Sequence, residues 1–149
     1  MGDPKPIREI RKRLVRLAHG TVLEIGAGSG ANFVHYDPAR VTKLYALEPN
    51  QGMIALAQRQ RRQTKLDVEF LVLPGERIPL ENESVDSIVR TFTLGTIPDV
   101  LAALRGMGRV LRPEASSSFL NLVFHRTRAY AAGRSGAILS PIGFLKACT

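Results

Sequence analysis

"TVLEIGAGSGAN", residues 21–32, decides the fold. An apolar run from Val22 to Ile25 passes straight into Gly26, Gly28 and Gly30. Its length and its glycine boundary predict a short buried strand that turns sharply into a helix. Residues without Cβ leave the main chain bare, so a ligand can lie against it, and they tolerate positive φ where the turn demands it. "GAGSGA" also satisfies the dinucleotide pattern G-x-G-x-x-G/A, with Ala31 as its last small residue, so the turn alone leaves the ligand open.

Working outward, "TKLYALEPN" (42–50) predicts a second strand ending at Glu48. "NQGMIALAQRQRRQ" (50–63) predicts a helix with Asn50 as its N-cap. "DVEFLVLPG" (67–75) and "SVDSIVRTFTL" (84–94) read as two more strands, and "IPDVLAALRGMGRVLRP" (97–113) as a helix stopped by Pro113. Strand alternating with helix at these lengths predicts an α/β, Rossmann-like fold: a mainly parallel sheet with helices on both faces. Before it, "PIREIRKRLVRLA" (6–18) places Ile7, Ile10, Leu14, Leu17 and Ala18 on one helical face, with Arg8, Arg11, Lys12 and Arg16 around the other. That amphipathic basic helix reads as a packing element with a solvated face, or as a lid or membrane-surface contact. The expected divisions are an N-terminal helix (1–19), a core (20–114) and an atypical tail (115–149).

The chain has 149 residues, of which 44% are hydrophobic and 23% charged, the balance of one globular domain. No apolar run reaches the roughly 20 residues of a membrane span, and the charged N-terminus lacks a secretory signal, so the expected compartment is the cytoplasm. The single cysteine, Cys148, can neither close an internal disulfide nor hold a metal alone. The net charge is +8, yet all 13 acidic residues lie within residues 1–114. With no recognition helix, no stacking aromatic pair and no zinc pattern, the basic balance reads as a surface property and nucleic acid is not an expected partner.

Glu48 narrows the ligand. It stands 18 residues beyond Gly30 at a strand end, where a carboxylate can accept hydrogen bonds from both hydroxyls of a ribose. An adenosine-containing ligand follows; the alternative is a carboxylate that only caps the next helix. Glu24, on the first strand just below the turn, would repel pyrophosphate and attract an ammonium group, or else brace the loop.

"VLEIGAGSGAN", "LYALEPN", "ERIPLENESVDSIVRTFTLGTIPD" and "RVLRPE" occur in the order and spacing of class I S-adenosylmethionine-dependent methyltransferases, and the chain resembles their short bacterial branch over residues 20–114. The resemblance implies S-adenosyl-L-methionine as cofactor. Glu24, Gly26, Ala27, Gly28 and Gly30 would then hold its methionine part, with Asn32 lining the same loop. Glu48 would bind the ribose, with Pro49 and Met53 near the adenine and Gly75 and Glu76 along its edge. Many relatives carry an acid where Pro74 stands, and Glu76 is offset from that place. The loop from Thr91 through Phe92 and Thr93 to Thr96 would face the methyl group and its acceptor. The implied acceptor is a small molecule, or a lipid if the basic helix meets a membrane. The rival readings are a nicotinamide-dependent oxidoreductase and an inactive remnant that only binds cofactor.

Methyl transfer from a sulfonium is an in-line displacement, so alignment matters most and a base is needed only for a protonated acceptor. His19 and His35 flank the glycine loop, Asp86 starts a strand, and Tyr36 either gates the cofactor pocket or packs on it. None is assigned as catalytic.

The tail breaks the pattern. Relatives continue after "RVLRP" with a run resembling "P-G-G-x-L-L-F-x-E-H-G", whereas this chain has "PEASSSFLNLVFHRTRAY". Back-translated from Glu114 and read from the third base of each codon, with free choice among synonymous codons, the segment can become "GLLLFLEPGLSPDPRVCRWQERRNP". That text restores the glycine, the apolar strand and the acid. Residues 115–149 are therefore expected to be out of frame and the C-terminal strands missing or degraded, though "FLNLVF" can still serve as a fifth strand.

Overall fold

The computed structural model describes residues 5–91, 97–113 and 118–122, the last five through their backbone. Among the described residues, strands β1 (Gly20–Ile25), β2 (Val41–Leu47), β3 (Val68–Leu71), β4 (Ser87–Thr91) and β5 (Ser118–Leu122) form one sheet in the order β3-β2-β1-β4-β5. Every pairing is parallel. The helices are α1 (Lys5–Val15), α2 (Gln51–Arg61) and α3 (Val100–Val110).

The apolar runs explain the layering. A strand in the middle of a parallel sheet is covered on both faces, so alternate residues of one run feed two cores. Val22, Leu44, Val68 and Val89 pack with Leu14 and Val15 of α1, with Phe33, and with Ala57 of α2. Leu23, Ile25, Leu47 and Ile88 pack on the opposite face with Ala103, Met107 and Val110 of α3. Burying Phe33, 1% exposed, contributes on the order of 2 kcal/mol. The α/β Rossmann-like expectation, with helices on both faces, holds.

Two local expectations do not. The glycine turn does not open an α-helix. Gly26, Gly28 and Gly30 have φ of 68°, 55° and 78°, and the only helical turn between β1 and β2 is a 3₁₀ turn at Phe33–His35. Its bonds span three residues, Phe33 N–H to Gly30 O at 3.0 Å and His35 N–H to Asn32 O at 2.8 Å, and Pro38 blocks further winding. The N-terminal α1 packs against this turn and covers the face that it leaves. The second difference is in α1 itself. The helix stops at Val15, so Leu17 leaves the predicted phase and is 54% exposed, while Arg11, expected on the solvated face, is 8% exposed.

β5 takes the place expected for a fifth strand, in register with β4 from Ser87 opposite Ser118 to Thr91 opposite Leu122. "SFLNL" therefore does supply a strand at the point where degradation was expected. Residues 123–149 lie outside the described residues.

Candidate active site

The site forms where β1 and β2 end. Gly26 and Ala27 donate their N–H groups to Leu47 O at 2.8 and 3.1 Å, which ties the glycine loop to the end of β2. Glu48 follows immediately. Its Oε2 accepts from Gly28 N–H and its Oε1 from Asn50 N–H, each at 3.0 Å. Asn50 in turn caps α2 by accepting from Met53 N–H at 3.2 Å, as its sequence position predicts. The Glu48 carboxylate is thus fixed with one lone pair used on each oxygen and the others still able to accept.

Beside it lies a cavity of about 520 Å³ lined by Gly26, Gly28, Glu48, Pro49, Met53, Gly75 and Glu76. The volume falls in the range of small-molecule and cofactor pockets. Ile25, Leu47, Asn50, Pro74, Ile97 and Pro98 complete the wall, and no lysine, arginine or histidine is among the described lining residues. Two carboxylates and no cation make this a negative cavity. Glu76 Oε1 accepts from Asp99 N–H at 3.1 Å, whereas its Oε2 is buried with no hydrogen-bond partner among the described residues. A second cavity, of about 380 Å³, lies between Gln58 and Leu66 around the end of α2, away from the glycine loop.

The two glycines beyond Ala27 have different reasons to be glycine. A Cβ on Gly28 would meet nothing within 4 Å and would enter the open space of the cavity. A Cβ on Gly30 would lie 2.9 Å from Phe33 and 3.2 Å from the Ala57 Cα, so packing excludes it. Ala27, 6% exposed, belongs to the core and offers no side chain to the cavity.

Glu24 and Asn32, each 1% exposed, and Thr91, 8% exposed, form a polar cluster within the α1 face of the sheet. Asn32 Nδ2 donates to Glu24 Oε1 at 2.7 Å and to Thr91 Oγ1 at 3.2 Å, and Tyr36 OH donates to Glu24 Oε2 at 2.9 Å. Arg11 completes it, with Nη1 donating to Asn32 Oδ1 at 2.7 Å and to Thr91 Oγ1 at 3.4 Å. Burial pushes the Glu24 carboxyl up to about 7, against the hydrogen bonds from Tyr36 and Asn32 and the charge of Arg11. Burial, and then the Glu24 carboxylate, hold the Tyr36 hydroxyl well above its ordinary range and so protonated.

The other titratable candidates sit elsewhere. His19 precedes β1 and Asp86 precedes β4, at the end of the sheet opposite the glycine loop. Ser87 Oγ donates to His19 O at 3.0 Å, and Asp86 accepts from Thr21 N–H at 2.8 Å and from Arg112 at 2.6 Å. His35 lines a separate cavity of about 210 Å³ with Lys12, Arg16 and Asp37. Phe92 and Thr93 lie outside the described residues. Sequence reasoning missed Arg11, Ile97 and Pro98. The signal for Arg11 was its spacing: four residues after Ile7, three before Leu14 and four before Val15, it falls on the apolar stripe.

The strand order and the site at the carboxyl ends of the strands are joined by a family match. A methyltransferase-domain family model matches residues 23–119. The chain belongs to the class I S-adenosylmethionine-dependent methyltransferases. Among its methyltransferase relatives, human thiol S-methyltransferase TMT1B is 35% identical over 97 residues, covering 62% of this chain and 38% of that protein. The ubiquinone/menaquinone biosynthesis C-methyltransferase UbiE of Bartonella tribocorum is 29% identical over 112 residues, covering 72% of this chain and 42% of its own length. This methyltransferase chain therefore spans less than half of either relative. The solved YcgJ protein from Bacillus subtilis superposes with a TM-score of 0.64 at 21% identity, over 80% of this chain and 50% of that one, which shows the shared fold.

Proposed function

We propose that this chain binds S-adenosylmethionine and transfers its methyl group to a small-molecule acceptor. The observation that carries the reading is the cavity wall: bare backbone at Gly26 and Gly28, a fixed carboxylate at Glu48 and no cation. A dinucleotide site instead sets its pyrophosphate on the N-terminus of a helix that follows the glycine turn. Here no such α-helix follows, and Glu24, Glu48 and Glu76 would repel that anion.

When bound, the cofactor supplies an electrophilic methyl group on a sulfonium. The residues present fit it. Glu48 retains acceptor capacity for the ribose hydroxyls. Pro49, Met53 and Ile97 give apolar walls for the adenine. The buried Glu76 Oε2 is an acceptor in want of a donor, which the 6-amino group of adenine would supply. Glu24 would hold the ammonium end, directly or through the polar groups around it, and Thr91, at the carboxyl end of β4, would face the acceptor side. His19 and Asp86 sit at the far end of the strands, so the chain acts through binding and alignment rather than through either as a base.

The thiol S- and quinone-pathway C-methyltransferase names of the relatives support a small acceptor, an apolar or lipid one included. For residues 115–149 we propose an out-of-frame segment, supported by the family-like text that the shifted reading can yield; a nucleotide sequence with no methyltransferase reading in the shifted frame overturns it. Calorimetry with S-adenosylhomocysteine and, separately, NADH tests the cofactor. We expect heat from the first alone; binding of NADH alone refutes the proposal.

A further inference from the structure

α1 is not only a cover for the sheet. Its one buried guanidinium ends 2.7 Å from Asn32, and the chemistry of that contact sets the direction of every hydrogen bond beyond it. Arginine has only donors, so the oxygen of the Asn32 amide must face Arg11. Its nitrogen must then face Glu24 and Thr91, where it donates at 2.7 and 3.2 Å. Thr91 Oγ1 is fixed in the same way, accepting from both Asn32 and Arg11. With Tyr36 OH on the other oxygen, the Glu24 carboxylate is gripped from two sides.

We infer that Arg11 is a positioning residue for cofactor binding, which acts through Asn32 to orient Glu24 and keep it ionised, so that docking of α1 completes the methionine end of the site. The inference rests on the cofactor reading above. Without Arg11 the Asn32 oxygen, in a residue 1% exposed, loses its donor, and the amide gains nothing by keeping its nitrogen toward Glu24. A flipped amide would set oxygen against carboxylate. The carboxylate would also lose the one cation that acts on it among the described residues. From β2 the neighbour on that face is Ala46 and from β4 they are Val89 and Thr91, none of them titratable. Among the described residues, the remaining groups that face Glu24 are Tyr36, which stays neutral, and Asn32. Arg90 is paired in register with Ile25 and belongs to the opposite face of the sheet. A carboxyl pushed upward by burial is therefore held toward its charged form by the Tyr36 hydroxyl and the Asn32 amide, with the charge of Arg11 added to them, and Arg11 also fixes the direction of that amide.

The arrangement is long-range in sequence and short in space. Arg11 reaches Asn32 across 21 residues and Thr91 across 80. It gives α1 a role that a solvated basic helix would not have, and it makes the methionine end sensitive to the register of that helix on the sheet.

The test is calorimetry of S-adenosylhomocysteine binding to the whole chain between pH 6 and 9, for wild type, Arg11→Met, Arg11→Lys, Glu24→Gln and the Arg11→Met/Glu24→Gln pair. Arg11→Met is expected to weaken binding about tenfold at pH 7, with the rise of affinity with pH displaced upward by about one unit. Arg11→Lys keeps the charge and recovers most of the loss. In the Glu24→Gln background, Arg11→Met is expected to change affinity less than threefold, because the group it acts on is gone. Thermal melting of each variant accompanies the titrations, so a variant that fails to fold is replaced in the cycle by Arg11→Gln, which keeps a donor without the charge. An equal loss at every pH that persists in the Glu24→Gln background, or no loss at all, overturns the role of Arg11. If wild type itself binds no S-adenosylhomocysteine at any pH, it is the cofactor reading that fails.

Discussion

Gly28 and Gly30 stand two residues apart in one loop, yet replacing each by alanine should harm the protein in different ways. Both sit at positive φ, 55° and 78°, where a Cβ costs about 1 kcal/mol or slightly more. At Gly28 nothing else is added, because the new methyl group meets no atom within 4 Å. At Gly30 it would sit 2.9 Å from the Phe33 ring and 3.2 Å from the Ala57 main chain. Phe33 is 1% exposed and cannot swing away, and Ala57 Cα belongs to α2, so overpacking of about 1–3 kcal/mol joins the strain. Gly28→Ala should therefore lose about 1 kcal/mol and Gly30→Ala about 2–4 kcal/mol in urea unfolding. Binding should rank them the other way. The Gly28 methyl stands in the cavity, where it should weaken S-adenosylhomocysteine at least tenfold, while folded Gly30→Ala should lose less. Equal stability losses, or unimpaired binding by Gly28→Ala, would show that the loop does not divide its glycines between ligand and packing.

Glu48→Gln should cost about 1–3 kcal/mol of stability and more than tenfold in affinity, since both carboxylate oxygens accept backbone N–H groups and the glutamine nitrogen must face one of them; urea unfolding and calorimetry check this. Glu24 should make the fold less stable as pH rises. Its folded pKa of about 7 lies above its ordinary 4.5, so the native state binds the extra proton between those values. Its stabilising effect is complete below about 4.5 and is lost as pH climbs through 7, by on the order of 3 kcal/mol at most. Wild type should lose stability relative to Glu24→Gln across that window, and parallel stability curves would contradict the assignment. Asp86→Ala removes the partner of Thr21 N–H and Arg112 and should cost about 1–3 kcal/mol by thermal or urea melting, with S-adenosylhomocysteine affinity unchanged within twofold.

How much of this was legible in the sequence depends on how far apart the partners are. The strands, the parallel order and the place of Glu48 between β2 and α2 were readable because each rests on local rules: an apolar run has a period, and Asn50 caps the helix that it precedes. The missing crossover helix was less so. A glycine turn is compatible with a helix or with a 3₁₀ turn, and the choice fell to three positive-φ residues and the packing of α1 on Phe33. Arg11 failed to declare itself for a deeper reason. A charged residue on an amphipathic helix is normally solvated, because burial of an unpaired guanidinium is costly, and the partners that reverse the balance are 21 and 80 residues away. The apolar stripe did include its position, so spacing carried the information while residue type contradicted it. That conflict is itself diagnostic: a cation at a core position of a helix packed on a ligand-binding sheet implies a buried acceptor across from it. Here the acceptor is the Asn32 oxygen, and through it the helix that precedes the family's matched residues is joined to the polar cluster that those residues build.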